Sequence, residues 1–156
     1  MKGTMNGYRQ SARVALSALI LLGSTMWLGT FCVAADGKAK SGITVSQLAG
    51  PWQVAVVGNT GCGISSLLFT GALNAQGKAT GTLTFNSGCG LSTTTETFAI
   101  NSLRRNGSGT AGLTCGSGCG WTFNIQVNPA KLVINLVDVT DPNNWLAGPA
   151  VKQSAP

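Results

Sequence analysis

The chain has 156 residues, the usual size of one domain, which argues against a cofactor module joined to a separate substrate module. Charged residues make up only 9% and glycines number 22, against a hydrophobic share of 44%, so a charge-rich disordered chain and a coiled coil are both excluded. The formal charge is +6 and histidine is absent; Ser-His-Asp and Cys-His catalysis and most zinc and copper sites go with it.

At the N-terminus Lys2, Arg9 and Arg13 form a positive region, Val14 to Trp27 is mostly apolar, and Val33-Ala34-Ala35 places small residues where a signal peptidase reads. Residues 1–35 are expected to be a signal peptide cleaved after Ala35. The apolar run is short for a membrane span and is interrupted by Ser17, Gly23, Ser24 and Thr25, so no transmembrane span is expected in the mature chain. Phe31 is bulky where lipoprotein processing at Cys32 wants a small residue. Taking 35 residues from 156 leaves 121, with seven Lys and Arg against Asp36, Glu96, Asp138 and Asp141. That charge of +3 is too weak to argue for specific nucleic-acid binding. Residues 36–47 read as an N-terminal extension before the folded domain of 48–156.

Four cysteines remain in the mature chain, all among glycines: Gly61-Cys62-Gly63, Gly88-Cys89-Gly90 and Cys115-Gly116-Ser117-Gly118-Cys119-Gly120. An even count in an exported chain reads as two disulfides. A four-thiolate metal site is the alternative, but the spacing lacks two paired CxxC elements, so no metal is expected.

Between the cysteines the hydrophobic period is 2. Ala79, Gly81, Leu83 and Phe85 alternate with Thr80, Thr82 and Thr84, and Trp121, Phe123, Ile125 and Val127 alternate with Thr122, Asn124 and Gln126. Cutting at the Gly- and Asn-rich turns predicts eight strands, roughly 52–58, 64–74, 78–86, 92–103, 108–115, 121–127, 131–139 and 145–153. A shift of 30 aligns Leu73, Gly77, Thr80, Leu83, Thr84, Ser87, Gly88, Cys89 and Gly90 with Leu103, Gly107, Thr110, Leu113, Thr114, Ser117, Gly118, Cys119 and Gly120. The repeated object is a β-hairpin. Leu48-Ala49-Gly50-Pro51 likewise returns as Leu146-Ala147-Gly148-Pro149. The fold class is therefore all-β: an eight-stranded antiparallel up-and-down meander that closes into a barrel. Pro149, which lacks a ladder donor, is the main objection, and a β-sandwich is the alternative.

Gly50-Pro51-Trp52 opening the first strand of such a meander resembles the Gly-x-Trp start of calycin-type barrels: lipocalins, avidins and small bacterial metalloprotease inhibitors. The resemblance implies a small exported barrel and a Trp that plugs one end; it carries over no ligand-contact residue.

Consecutive meander turns fall on opposite ends. All four mature cysteines then share one end with Trp121, Trp145, Asp138 and Asp141, while Lys38, Lys40, Lys78, Arg104, Arg105, Lys131 and Lys152 share the other. Neighbouring loops favour Cys62–Cys89 with Cys115–Cys119, leaving open Cys62–Cys119 with Cys89–Cys115 and Cys62–Cys115 with Cys89–Cys119. Lys78, Arg104, Arg105 and Lys131 form a candidate anion-binding rim. Catalysis has little to stand on. Asp138 and Asp141, three residues apart around a strand end, lack the facing geometry of a glycosidase pair, and Glu96 stands alone on a Thr-rich strand. Asn106-Gly107-Ser108 matches a glycosylation sequon and also a favoured hairpin turn, and the turn is the expected role.

The expected function is that of a non-enzymatic binding or interaction protein of the bacterial envelope, periplasmic or secreted. Its contacts would be made by end loops with an anionic envelope component or a protein partner, without a cofactor. The alternatives are a secreted protease inhibitor that inserts the segment Asp36 to Leu48, and a carrier of a small apolar ligand. Leu67, Phe69, Leu83, Phe85, Phe98, Ile100, Phe123, Ile125, Ile134 and Leu136 are expected to fill the interior.

Overall fold

The computed structural model describes residues 42–116 and 118–154. The predicted signal peptide lies outside the described residues. A short 3-10 turn, Val45–Leu48, precedes eight strands: β1 (Gly50–Thr60), β2 (Gly63–Leu73), β3 (Lys78–Ser87), β4 (Gly90–Leu103), β5 (Ser108–Cys115), β6 (Cys119–Val127), β7 (Val133–Asp138) and β8 (Trp145–Lys152). Each strand pairs antiparallel with the next, and β8 pairs with β1 to close the barrel. The sandwich alternative is thereby removed. The strand spans fall within two residues of the sequence expectation at every end.

Closure survives Pro149 by a local gap. The β1–β8 register runs Trp52↔Lys152 to Val54↔Ala150 and resumes at Val57↔Ala147, skipping the two positions opposite Pro149 and Gly148. Pro149 faces outward and stays in register with Asn135 of β7, so the missing donor interrupts one ladder only.

Period-2 alternation puts one face of every strand inside. Val54, Val56, Leu67, Phe69, Leu83, Phe98, Leu113, Phe123, Ile125, Ile134, Leu136 and Leu146 are buried, with Phe69 and Phe98 rings 6.0 Å apart. The outward faces of β3, β4 and β6 are built largely from Thr, Asn and Gln, whereas those of β1, β2, β7 and β8 expose Val57, Leu68, Val137 and Val151. No described helix is long and apolar enough to cross a membrane.

The end bearing the β2–β3, β4–β5 and β6–β7 turns is plugged. Trp52 is fully buried there, its indole N–H donating to the Leu48 carbonyl at 2.7 Å. Ile43 and Leu48 are buried beneath it, and Val45 packs against the same cluster, so chain from Ile43 onward belongs to the core. The two repeated hairpin turns do the same job twice. Gly77 and Gly107 both adopt positive φ, 77° and 88°, and their carbonyls accept from Ile100 N–H and Val127 N–H at 2.8 and 2.9 Å. A side chain at Gly77 would run into Val45 of the N-terminal segment, and one at Gly107 into the Val127 carbonyl and Gln126, with Ile43 next to them. The Asn106 carboxamide oxygen accepts from the Ser108 N–H and hydroxyl, so the sequon residues are spent on this turn.

Candidate binding mouth

The opposite end carries the cysteines and is not plugged. Cys62 is bonded to Cys89 and Cys115 to Cys119, with Cα separations of 5.3 and 5.2 Å, the pairing favoured by loop neighbourhood. The first bridge ties the β1–β2 turn to the β3–β4 turn, reinforced by Gly88 N–H donating to the Cys62 carbonyl at 2.9 Å. The second staples the tip of the β5–β6 hairpin.

Between these two stapled units the barrel wall parts. β4 pairs with β3 from Gly90 to Ala99, but with β5 only from Phe98 to Leu103. Above Phe98 the seam is held by side chains. Thr97 N–H donates to the Thr114 hydroxyl oxygen at 2.9 Å; that hydroxyl donates to Glu96 Oε2 at 2.5 Å, and Gly116 N–H donates to Glu96 Oε1 at 2.5 Å. Glu96 is buried, yet the Thr114 hydroxyl first and the Gly116 amide second hold its carboxyl below the ordinary value of 4.5 against the opposing effect of burial, with Thr94 adding to the lowering.

The parted wall opens on a pocket of about 400 Å³, within the range of small-molecule sites. Leu83, Phe85, Ser92 and Thr94 line one side, Cys115, Cys119 and Trp121 the other, and Thr60, Cys62 and Asn144 the rim. Phe85 and Trp121 pack against each other at its floor, their ring centroids 5.8 Å apart and tilted by 48°. Phe85 was expected in the filled core; it is half-buried because the interior filling stops at Leu83 and Leu113, and the next inward ring of side chains belongs to the mouth. Ile64, Leu91 and Trp145 stand exposed around this end.

Asp138 closes β7 on the interior face, in register with Phe123 and one inward step from Trp121. Only 8% of it is exposed. Its Oδ1 accepts from Thr140 N–H at 2.8 Å and from the Thr140 hydroxyl at 2.6 Å, whose oxygen in turn accepts from Thr122 N–H at 2.7 Å. Its Oδ2 is buried with no hydrogen-bond partner among the described residues. Asp141 lies in the following turn and accepts from Asn143 and Asn144, so the two aspartates do not face one another across a gap. Among the described residues no cluster of three His, Cys, Asp or Glu side chains is placed to hold a metal.

The four candidate anion-binding residues lie at the plugged end. Lys78 heads β3, Arg104 and Arg105 occupy the β4–β5 turn, and Lys131, at φ 61°, occupies the β6–β7 turn. They are distributed over three turns around the rim and not gathered into one pocket. Lys152 lies at the same end, its ammonium 5.9 Å above the Trp52 ring.

The inward placement of Glu96 and Asp138 escaped the sequence reading although its signal was present: each stands two residues from a core position, Phe98 and Leu136, on the same parity. Comparison with protein-family models, with curated proteins and with solved structures gives no match. Roles for these residues therefore rest on geometry alone.

Proposed function

We propose that the mature chain is an exported, non-enzymatic binding barrel of the bacterial envelope that makes its contact through end loops, chiefly those of the cysteine-bearing mouth. The observation that carries this reading is the difference between the ends: one is plugged by Trp52, Ile43 and Leu48, the other opens on an aromatic-lined pocket. Two disulfides fit an oxidising, extracytoplasmic compartment. The same pocket supports the carrier reading in a restricted form, since the lower interior is filled and only the mouth has room. Protease inhibition by the segment Asp36 to Leu48 has less support, because Ile43 and Leu48 would have to leave the core.

A neutral apolar dye such as Nile red tests the reading. One equivalent is expected to bind the wild type with enhanced emission, and Trp121→Ser is expected to abolish it. Failure of the wild-type protein to bind the dye overturns the mouth as a binding site.

A second reading is favoured by charge segregation: all five described basic residues, Lys78, Arg104, Arg105, Lys131 and Lys152, belong to the plugged end, which would attract an anionic envelope component.

A further inference from the structure

Independently of the mouth, we propose that the outer wall of β7, β8 and β1, with β2 at its edge, is the interface of a reversible homodimer. The two copies pack antiparallel, the mouth end of each beside the plugged end of the other.

The outer wall of the barrel is divided. On β3 and β6 the outward positions include Thr80, Thr82, Asn86, Thr122, Asn124 and Gln126, side chains that water solvates well. On β7, β8 and β1 the outward Val137, Trp145, Val151 and Val57 are 55%, 58%, 41% and 60% exposed, and Ile64 and Leu68 of β2 extend the same face. The patch is contiguous. Val137 is in register with Ala147, and Ala147 with Val57, so one apolar row crosses three strands; Pro149 and Ala55 stand one outward step further along β8 and β1. No outward position on these three strands carries a charge. A continuous exposed apolar face of this kind marks an interaction surface.

The flanking charges select a second copy and its orientation. Lys131 lies in the turn at the plugged end of β7, and Asp141 in the turn at its mouth end. A two-fold axis along the Val137–Ala147–Val57 row reverses the second copy and sets Lys131 of each opposite Asp141 of the other, twice by symmetry. Parallel packing would set Lys131 against Lys131. Residues on the axis meet their own copies, which suits an uncharged row. Ion pairs at such a rim fix orientation more than strength. Four strands about 4.8 Å apart, each presenting about eight residues of about 3.3 Å, give a face of about 500 Å² per copy, the low end of specific interfaces, so the dimer dissociates on dilution.

Other occupants fit less well. Cleavage after Ala35 would leave only Asp36 to Ser41 ahead of the described residues, two of them Lys and none large and apolar, so that segment is no cover for this wall. A membrane-spanning barrel needs an apolar band on every strand, which the Thr and Asn of β3 and β6 do not supply.

The test is sedimentation velocity of the oxidised mature protein at low salt, from low micromolar to near-millimolar concentration. The mass is expected to rise from one chain to two and stop there. The Val57→Lys, Val137→Lys double variant, changed only at exposed sites, is expected to keep its near-ultraviolet circular dichroism and to stay monomeric throughout. Lys131→Asp is expected to weaken association about tenfold by placing two carboxylates together at each rim contact, and mixing it with Asp141→Lys is expected to restore dimers. If Asp141→Lys loses its turn, Lys131→Asp alone decides. A wild type that remains monomeric, a dimer that survives the double Lys variant, or one indifferent to Lys131→Asp overturns the proposal. Growth beyond two copies overturns it as well, since an isologous contact closes. A monomer that instead co-sediments with neutral phosphatidylcholine vesicles gives the wall to a lipid surface and overturns the dimer.

Discussion

The two ends of the barrel are built from similar hairpin turns and held by different forces. At the plugged end, Gly77 and Gly107 turn so tightly that the N-terminal segment lies directly on them, and the turn carbonyls pair with amides of later strands. At the mouth, a side chain added at Gly63, Gly90, Gly116 or Gly118 would meet nothing. Noncovalent packing holds the first end; covalent bridges hold the second, where little core is available to do so. A barrel filled to both ends would be more stable and would have no room for a ligand. The contrast places the packed core in one half and the open pocket in the other.

The largest effect should come from removing the plug. Trp52→Ala deletes a fully buried indole together with its hydrogen bond to the Leu48 carbonyl, and should destabilise the fold by about 3–5 kcal/mol in denaturant titration. If the midpoint barely moves, the plugged end is not where stability resides and the comparison collapses.

Breaking the bridges should come next and should act unequally. On chain entropy, the 27-residue separation of Cys62–Cys89 is worth about 3.5 kcal/mol and the separation of 4 in Cys115–Cys119 about 2 kcal/mol. The Cys62→Ser, Cys89→Ser double variant should lose dye binding at the mouth while amides of the other half, Ile100 and Val127 among them, keep their slow hydrogen exchange. Uniform loss of protection along all strands would show the two halves to be one cooperative unit. Thiol counting on denatured protein from its native compartment should find no reactive thiol at these four positions.

Much of this division was legible in the residues and some was not. Alternation of small and aromatic residues with Thr places β3 and β6, and the shift of 30 identifies Gly77 and Gly107 as equivalent turns; both signals are local, and local signals survive folding. Neighbouring loops point to Cys62–Cys89 once the meander is assumed. The parted wall was hidden because strand length alone does not reveal pairing: β4 is 14 residues long and β5 only 8, and the surplus of β4 has no partner on its second edge. The Thr140 contact to one Asp138 oxygen is an Asx turn that Asp-x-Thr suggests, whereas the lack of a partner for the other oxygen among the described residues depends on burial by strands distant in sequence.

The seam gives a pH signature. Glu96 has its carboxyl lowered in the folded state, so its ionised form contributes stability that is fully present above the unfolded value of 4.5 and is lost as pH falls through the folded value. Acid titration of stability should therefore show a decline below about pH 4.5. Glu96→Gln should flatten that part of the curve and, at neutral pH, loosen the β4–β5 seam, read as faster exchange at Thr97 and Gly116. An unchanged acid limb in the variant would assign acid sensitivity to other groups.

The smallest effect concerns the basic rim. Lys78, Arg104, Arg105, Lys131 and Lys152 are spread over separate turns, so a polyanion meets several isolated charges and no preformed pocket. Such binding is long-range and is screened as the Debye length falls to about 8 Å near physiological salt. Heparin retention of the wild type should thus be modest at low salt, and the Arg104→Ser, Arg105→Ser variant should elute at lower salt. Both arginines occupy the turn that supports Ile43, whose N–H donates to the Arg105 carbonyl at 2.9 Å. That contact uses backbone alone, so the double variant should keep the plug and its thermal midpoint. Equal elution of the two proteins would leave the basic residues as ordinary solvated turns and assign the molecule's recognition to the mouth; a large shift persisting at high salt would instead make the plugged end a binding surface in its own right and break the division between the halves.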